Sequence, residues 1–281
     1  MPRRAFILVA GVLMNVILTW VLFSGGFALG FPQVIEDVSS LAQVRDVKIQ
    51  VMSVLPSSPA AQAGIALGDE LVTYDGHKAS DIDAFRSRTK EGTPVVVEFR
   101  HAGTPFTRTL VPTKLPDIEA PIVGLGLAQT GIVSYPLWYA PIEGARATAV
   151  LAGQIVIGLG NVISALVAGR KTEVEFSGPI GIAVLTGEAA RLGFQHLIQF
   201  TALLSLNLAI VNVFPFPALD GGRLLFILLE RVRGRTFGRK METYIHGIGF
   251  IILITLVLVV TARDVAKYGG AIWSALLGVF G

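Results

Sequence analysis

Three stretches without a single Asp, Glu, Lys or Arg set the first limit on this 281-residue chain: residues 5–35, 192–219 and 243–262. A hydrocarbon core about 30 Å thick takes about 20 apolar residues at 1.5 Å rise per residue, so each stretch is long enough to cross a bilayer. Composition agrees, with 52% hydrophobic and 15% charged residues, against about 25% charged in ordinary soluble domains. The expected class is a membrane protein, an α-helical transmembrane bundle with three clear spans at 5–31, 192–220 and 243–263 and a tail at 264–281. Arg3 and Arg4 precede the first apolar run as in a secretory signal. That run continues to Phe23 with no clear small-residue cleavage site, which favours a retained span. Disordered, collagen-like and coiled-coil classes are excluded by composition and by the lack of a repeat. With no cysteine there is no disulfide framework, thiolate metal site or cysteine nucleophile.

Charge gives the orientation. Residues 221–242 carry Arg223, Arg231, Arg233, Arg235, Arg239 and Lys240 against Glu230 and Glu242, which places this loop in the cytoplasm. Arg3 and Arg4 put the amino terminus on the same side, and the region between the first two spans outside. The net charge of +3 comes from basic residues that border spans. Such residues report orientation and lipid headgroups, so the partner is a lipid bilayer and no nucleic acid is expected. Residues 147–169 are also uncharged, but Gln154 and Asn161 interrupt them. A fourth span there would put the basic loop outside, so 145–169 reads as an interfacial or partly embedded helix, with a span as the alternative.

The region outside the membrane reads as a small α+β domain. Residues 48–55 and 70–74 are strand candidates, and Asp75-Gly76 is a turn. Residues 80–89 have helical spacing with Ser80 as N-cap, and 93–100 pairs with 107–111 around Gly103. Ser58-Pro59-Ala60 starts a short helix, Gly64 ends it, and Gly68-Asp69 turns into the next strand. His77 and His101 are expected at the surface. The string VLPSSPAAQAGIALGDELVTYDGHKASDIDAF resembles a PDZ domain of the bacterial protease-associated kind, over about residues 44–114. That resemblance implies binding of an extended peptide or C-terminal tail by strand addition. A PDZ-like spacer that binds nothing is the alternative.

Polar groups inside a span are costly and mark function by default. Ser205, Asn207 and Asn212 lead into Phe214-Pro215-Phe216-Pro217-Ala218-Leu219-Asp220-Gly221-Gly222. Two prolines remove amide donors and break the helix, and unpaired backbone at this depth is tolerated only beside protein or water. A cavity is therefore expected, with the Asp220 carboxylate at its end. Alone, Asp220 could equally be an interfacial cap residue paired with Arg223. The string NLAIVNVFPFPALDGGRLLFILLE, however, resembles the site-2 protease family of intramembrane zinc metalloproteases, in the bacterial branch that cleaves membrane-anchored anti-sigma factors. In that family N-x-x-P-x-P-x-L-D-G supplies a zinc ligand, which falls on Asp220. The resemblance gives Asn207, Asn212, Pro215 and Pro217 a role in holding an extended substrate. It extends to Gly11 and Asn15, similar to the family's G-x-x-x-N helix, and to Ser177, Gly178, Pro179 and Gly181, similar to its G-P-x-G-I segment. Gly221 closes the motif.

Such an enzyme needs H-E-x-x-H, two histidines one helical turn apart with the glutamate as base. The four histidines here are His77, His101, His196 and His246, no two spaced in that way, and neither membrane histidine is expected to bind metal. The resemblance thus implies a multi-pass protein of the cell inner membrane with its PDZ-like domain outside. It implies a zinc endopeptidase that cuts single-span membrane protein substrates. This chain is expected to be an amino-terminally truncated form, inactive alone, with no catalytic residue of its own. The alternative is a non-catalytic, membrane-tethered PDZ module or pseudoprotease.

Overall fold

The computed structural model describes residues 2–35, 38–101, 103–114, 120–170, 178–234 and 238–280. The chain folds into two units, residues 29–136 and a helical unit made of residues 1–28 and 137–281. In order the elements are α1 (Pro2–Leu29), β1 (Phe31–Val34), β2 (Gln43–Val54), α2 (Pro59–Gln62), β3 (Glu70–Tyr74), β4 (His77–Lys78), α3 (Ile82–Lys90), β5 (Val95–His101), β6 (Thr104–Leu110) and β7 (Leu125–Ser134). Five helices follow: α4 (Ala140–Val167), α5 (Pro179–Leu192), α6 (Phe194–Val213), α7 (Asp220–Arg233) and α8 (Arg239–Phe280).

The first unit is an antiparallel sheet in the order β1-β7-β2-β3-β5-β6, with β4 paired to β3 alone. Alternate residues of β5, Val95, Val97 and Phe99, point to one face and are fully buried with Val51, Leu71, Phe85 and Leu110, as the two-residue period of a half-buried strand requires. Asp75 and Gly76 both take positive φ, 48° and 78°, the condition for the tight hairpin between β3 and β4. Asp75 also accepts from the Val96 amide at 3.0 Å and from Arg88 Nε at 2.8 Å. Ser58 caps α2 by accepting from the Ala61 amide at 3.3 Å. The cap of α3, however, is Asp81 rather than Ser80. Its backbone is extended and its carboxylate accepts from the Asp83 amide at 2.9 Å, and Asp serves as well as Ser at this position. Strands β1 and β7 flank the 44–114 stretch in sequence and complete its sheet.

His101 is not simply a solvated residue. Its Nδ1 bonds Asp69 Oδ1 at 2.5 Å, and Asp69 is 1% exposed. The other oxygen of Asp69 accepts from the Ala66 amide at 2.9 Å. A buried carboxylate is tolerated only when such bonds satisfy it.

In the helical unit, four helices among the described residues are long and apolar enough to span a membrane: Phe6–Leu29, Ala140–Ala165, Phe194–Val213 and Lys240–Lys267. The helix expected at 145–169 is thus part of α4 and meets the same length test. Helix α8 continues through the expected tail as far as Phe280. Large apolar side chains such as Phe6, Ile251, Leu256 and Leu258 stand exposed on α1 and α8, as lipid-facing positions do. Packing between helices uses hydroxyls and small residues. Thr19, fully buried, donates to the Ala202 carbonyl at 3.2 Å, and Ser205 donates to the Asn15 carbonyl at 3.0 Å, joining α1 to α6. Trp20 Nε1 donates to the Pro141 carbonyl at 2.8 Å. Gly144 lies so close to Ser24 that a Cβ there would stand 2.8 Å from the Ser24 nitrogen. Close approach of this kind replaces the hydrophobic drive that lipid removes.

Replacing Asp69 by Ala strands the Ala66 amide and removes the partner of His101. We expect a loss of about 1–3 kcal/mol, read as faster hydrogen exchange of the β3 and β5 amides. Unchanged exchange would show that the buried carboxylate contributes nothing.

Candidate functional site

Helix α6 ends at Val213 because Pro215 and Pro217 have no amide to donate. The chain runs irregularly from Phe214 to Leu219 and re-enters a helix at Asp220, the first residue of α7. Local bonds replace the lost ones: Phe216 N–H donates to the Phe214 carbonyl at 2.7 Å, and Leu219 N–H to the Phe216 carbonyl at 3.1 Å. Ala218 takes φ 85°, a conformation costly for a residue with a Cβ. Its amide donates to His246 Nδ1 on α8 at 3.0 Å. An amide can only donate, so Nδ1 is the unprotonated nitrogen and Nε2 carries the hydrogen of the neutral ring. Neither nitrogen is then free to bind a metal. Nε2 is buried and has no partner among the described residues.

Three glycines let the loop close on itself. A Cβ on Gly221 would meet the Val213 and Phe214 carbonyls, and one on Gly222 would meet the Phe216 carbonyl. On α8, a Cβ on Gly249 would stand 2.5 Å from both the Cβ and the carbonyl oxygen of Pro217. These contacts place Asp220 at the amino-terminal end of α7, where backbone amides favour negative charge. Asp220 is half-buried and forms no ion pair among the described residues, with Arg223 or any other cation.

The remaining sequence-predicted residues fall in different places. Asn207 is exposed and Asn212 half-buried on α6, and Pro215 and Pro217 lie within the unwound stretch. Gly11 faces open space rather than a neighbouring helix. At Asn15 it is the main-chain carbonyl, not the side-chain amide, that bonds across to α6. Ser177 lies outside the described residues. Gly178 caps α5, Pro179 is its first residue, and the Gly181 amide donates to Asp264 Oδ2 at 2.7 Å. A Cβ on Gly178 would stand 2.8 Å from that same oxygen. Asp264, on α8 and buried, is a residue that sequence reasoning assigned only to a tail. The signal was a carboxylate at the end of an apolar span.

A second feature lies in the first unit. A groove of about 440 Å³ is lined by Phe85, Arg86, Thr89 and Lys90 of α3 and by residues 122–127 and 53–56. Part of its lining is the segment Val123-Gly124-Leu125-Gly126-Leu127, which leads into β7. Gly124 has φ 78° and no room for a Cβ against Ser58, and Gly126 lies against the Ser53 hydroxyl. This loop was missed because it lies beyond residue 114, although Gly-x-Gly between apolar residues after a strand was a visible signal.

Among the described residues no three His, Cys, Asp or Glu side chains gather as a metal site. A catalytic zinc takes three protein ligands. The described residues do not by themselves make such a site.

A helical bundle broken at Pro-x-Pro-x-Leu-Asp-Gly-Gly and carrying a PDZ-like insertion defines a class of membrane protein. Residues 2–256 match peptidase family M50, and the chain belongs to that family, the site-2 proteases. It is 32% identical to the zinc metalloprotease RasP of Geobacillus kaustophilus, over 95% of this chain and 59% of that one. It is 32% identical to the regulator of sigma-W protease RasP of Bacillus subtilis, over 94% and 59%. It is 31% identical to the regulator of sigma-E protease RseP of Escherichia coli, over 83% and 54%. The chain thus spans between half and two-thirds of the length of these relatives. Among solved structures, the PDZ domain of the SdrC-like protein from Listeria monocytogenes is similar at 23% identity and TM-score 0.27, covering 30% of this chain and 92% of that one.

Gly249→Ala should push Pro217 and the Asp220 loop off α8, costing about 1–3 kcal/mol as overpacking does. Gly247→Ala, with nothing within 4 Å of its Cβ, should be neutral or slightly stabilising. Thermal unfolding in detergent compares them. Equal melting temperatures would show that the loop does not depend on this contact.

Proposed function

We propose that this chain is the substrate-handling part of an intramembrane zinc endopeptidase that cuts single-span membrane proteins such as anti-sigma factors. Asp220 is proposed as one zinc ligand, the others lying on an H-E-x-x-H segment outside these 281 residues. The observation that carries the proposal is the unwound stretch 214–219, pinned by His246 and Gly249 and followed by the half-buried Asp220, which has no ion-pair partner among the described residues. A peptide bond in a helix is shielded by its own hydrogen bonds, so a substrate must be extended before it is cut. Carbonyls that lose their helical partners at Pro215 and Pro217 are the backbone groups that would meet such a strand, with Asn207 and Asn212 on the helix that leads into it. The PDZ-like groove would hold an extended peptide or C-terminal tail, its apolar floor taking the last side chain and Arg86 and Lys90 attracting the carboxylate. In this reading the PDZ-like domain lies outside the inner membrane and the 221–242 loop in the cytoplasm.

A second reading, a non-catalytic PDZ module or pseudoprotease, is favoured by the lack of a three-ligand cluster among the described residues. Joining an H-E-x-x-H helix of an M50 relative ahead of residue 1 separates the two. The protease reading expects about one zinc per chain by elemental analysis, lost in Asp220→Ala. Equal zinc with and without Asp220, or none in either, would favour the module.

A further inference from the structure

We infer that the PDZ-like groove reads only about the last two residues of a tail, because the chain's own strand β1 already occupies the rest of the ligand edge. The inference rests on the tail-binding reading of the groove given above.

Strand β7 has β2 on one side and β1 on the other, and its first residues, Leu125 to Leu127, line the groove with α3. Strand β1 pairs with β7 without a register break, from Phe31 opposite Val133 to Val34 opposite Thr130. The Ile35 amide then donates to the Gln129 carbonyl at 2.8 Å. Backbone groups of alternate residues in a strand point to the same edge, so Gln129, Leu127 and Leu125 all face outward. Among the described residues, sheet pairing on this edge ends at Gln129. The edge from Leu125 to Ala128 lies beyond it, about 10–14 Å at the usual rise per residue.

Strand β1 runs antiparallel to β7, so it heads along the edge toward the glycine loop. A tail added to the same edge with its carboxylate at Gly124-Leu125-Gly126 has the same direction. With its final residue opposite Leu127, its third residue from the end falls opposite Gln129. That bond is already made by Ile35. A longer ligand must either leave the sheet after two residues or displace β1.

Displacement is opposed by burial. Phe31 is 1% exposed, and Ile35 lies over Gly131, where a Cβ would stand 2.9 Å from Ile35 Cδ1. Selectivity then concentrates in the last side chain, packed between Phe85 and Leu127, and in the charge of the terminal carboxylate near Lys90.

The test uses the full chain in lipid nanodiscs and fluorescein-labelled peptides of three, five and eight residues, sharing an apolar free carboxyl terminus. Anisotropy should give Kd values within about twofold across the series, since no further main-chain bonds form beyond the second residue. In Ile35→Pro, which lacks the amide that closes the edge, the eight-residue peptide should gain about tenfold over the three-residue one. Should that variant not fold, hydrogen exchange on the native chain decides: β1 amides stay protected when the eight-residue peptide saturates. Overturning results are a wild-type affinity that rises about tenfold with length, or β1 amides that open on binding. If no peptide of any length binds, or an amidated terminus binds equally, the tail-binding reading fails and this inference with it.

Discussion

A backbone amide or carbonyl without a partner costs several kcal/mol in hydrocarbon, and this condition governs the whole helical unit. Unbroken helices meet it for free. The stretch between α6 and α7 cannot, since Pro215 and Pro217 contribute no donors and Ala218 is turned into a left-handed conformation. Its groups are instead satisfied by short-range bonds within the loop and by an imidazole from α8. The glycines at 221, 222 and 249 are what allow the backbone to come near enough for this. The irregular loop is thus a constructed feature, and it puts Asp220 at a helix start.

Helix α8 secures this arrangement at two levels. His246 and Gly249 meet the loop near its beginning, and Asp264 receives the Gly181 amide at the start of α5. These contacts are 18 residues apart, from His246 to Asp264, or about 27 Å at 1.5 Å per residue. That is close to the thickness of a bilayer core. One helix therefore ties the Leu-Asp-Gly loop and the Gly-Pro-x-Gly-Ile segment to a common strut, which gives both motifs a shared structural basis.

Much of this was legible in the chain. The uncharged stretches, the Ser58 cap and the Asp75-Gly76 turn depend on a few neighbouring residues, so local rules find them. The N-cap moved from Ser80 to Asp81 because adjacent residues were both good caps, and only the backbone geometry selects between them. What stayed hidden is long-range. Strands β1 and β7 pair across nearly a hundred residues of sequence, Asp264 reaches Gly181, and the His101–Asp69 bond joins a loop to a hairpin; no local preference encodes these. A Cβ on Gly11 would meet nothing within 4 Å among the described residues, while a close helix approach occurs at Gly144. The Asp220 position was recognisable from its motif. Its support by His246 was not, because a histidine in an apolar span announces a polar partner without saying which.

We propose that the broken helix brings the Asp220 side chain to water from within the bilayer. The chain has no cysteine, so a single Asp220→Cys substitution can be labelled without background in native membranes. A membrane-impermeant maleimide added from the face bearing the 221–242 loop should modify it readily, while a cysteine at lipid-facing Leu256 stays unlabelled. If the cysteine at 220 reacted no faster than the one at 256, the side chain would lie in lipid and the account would be contradicted.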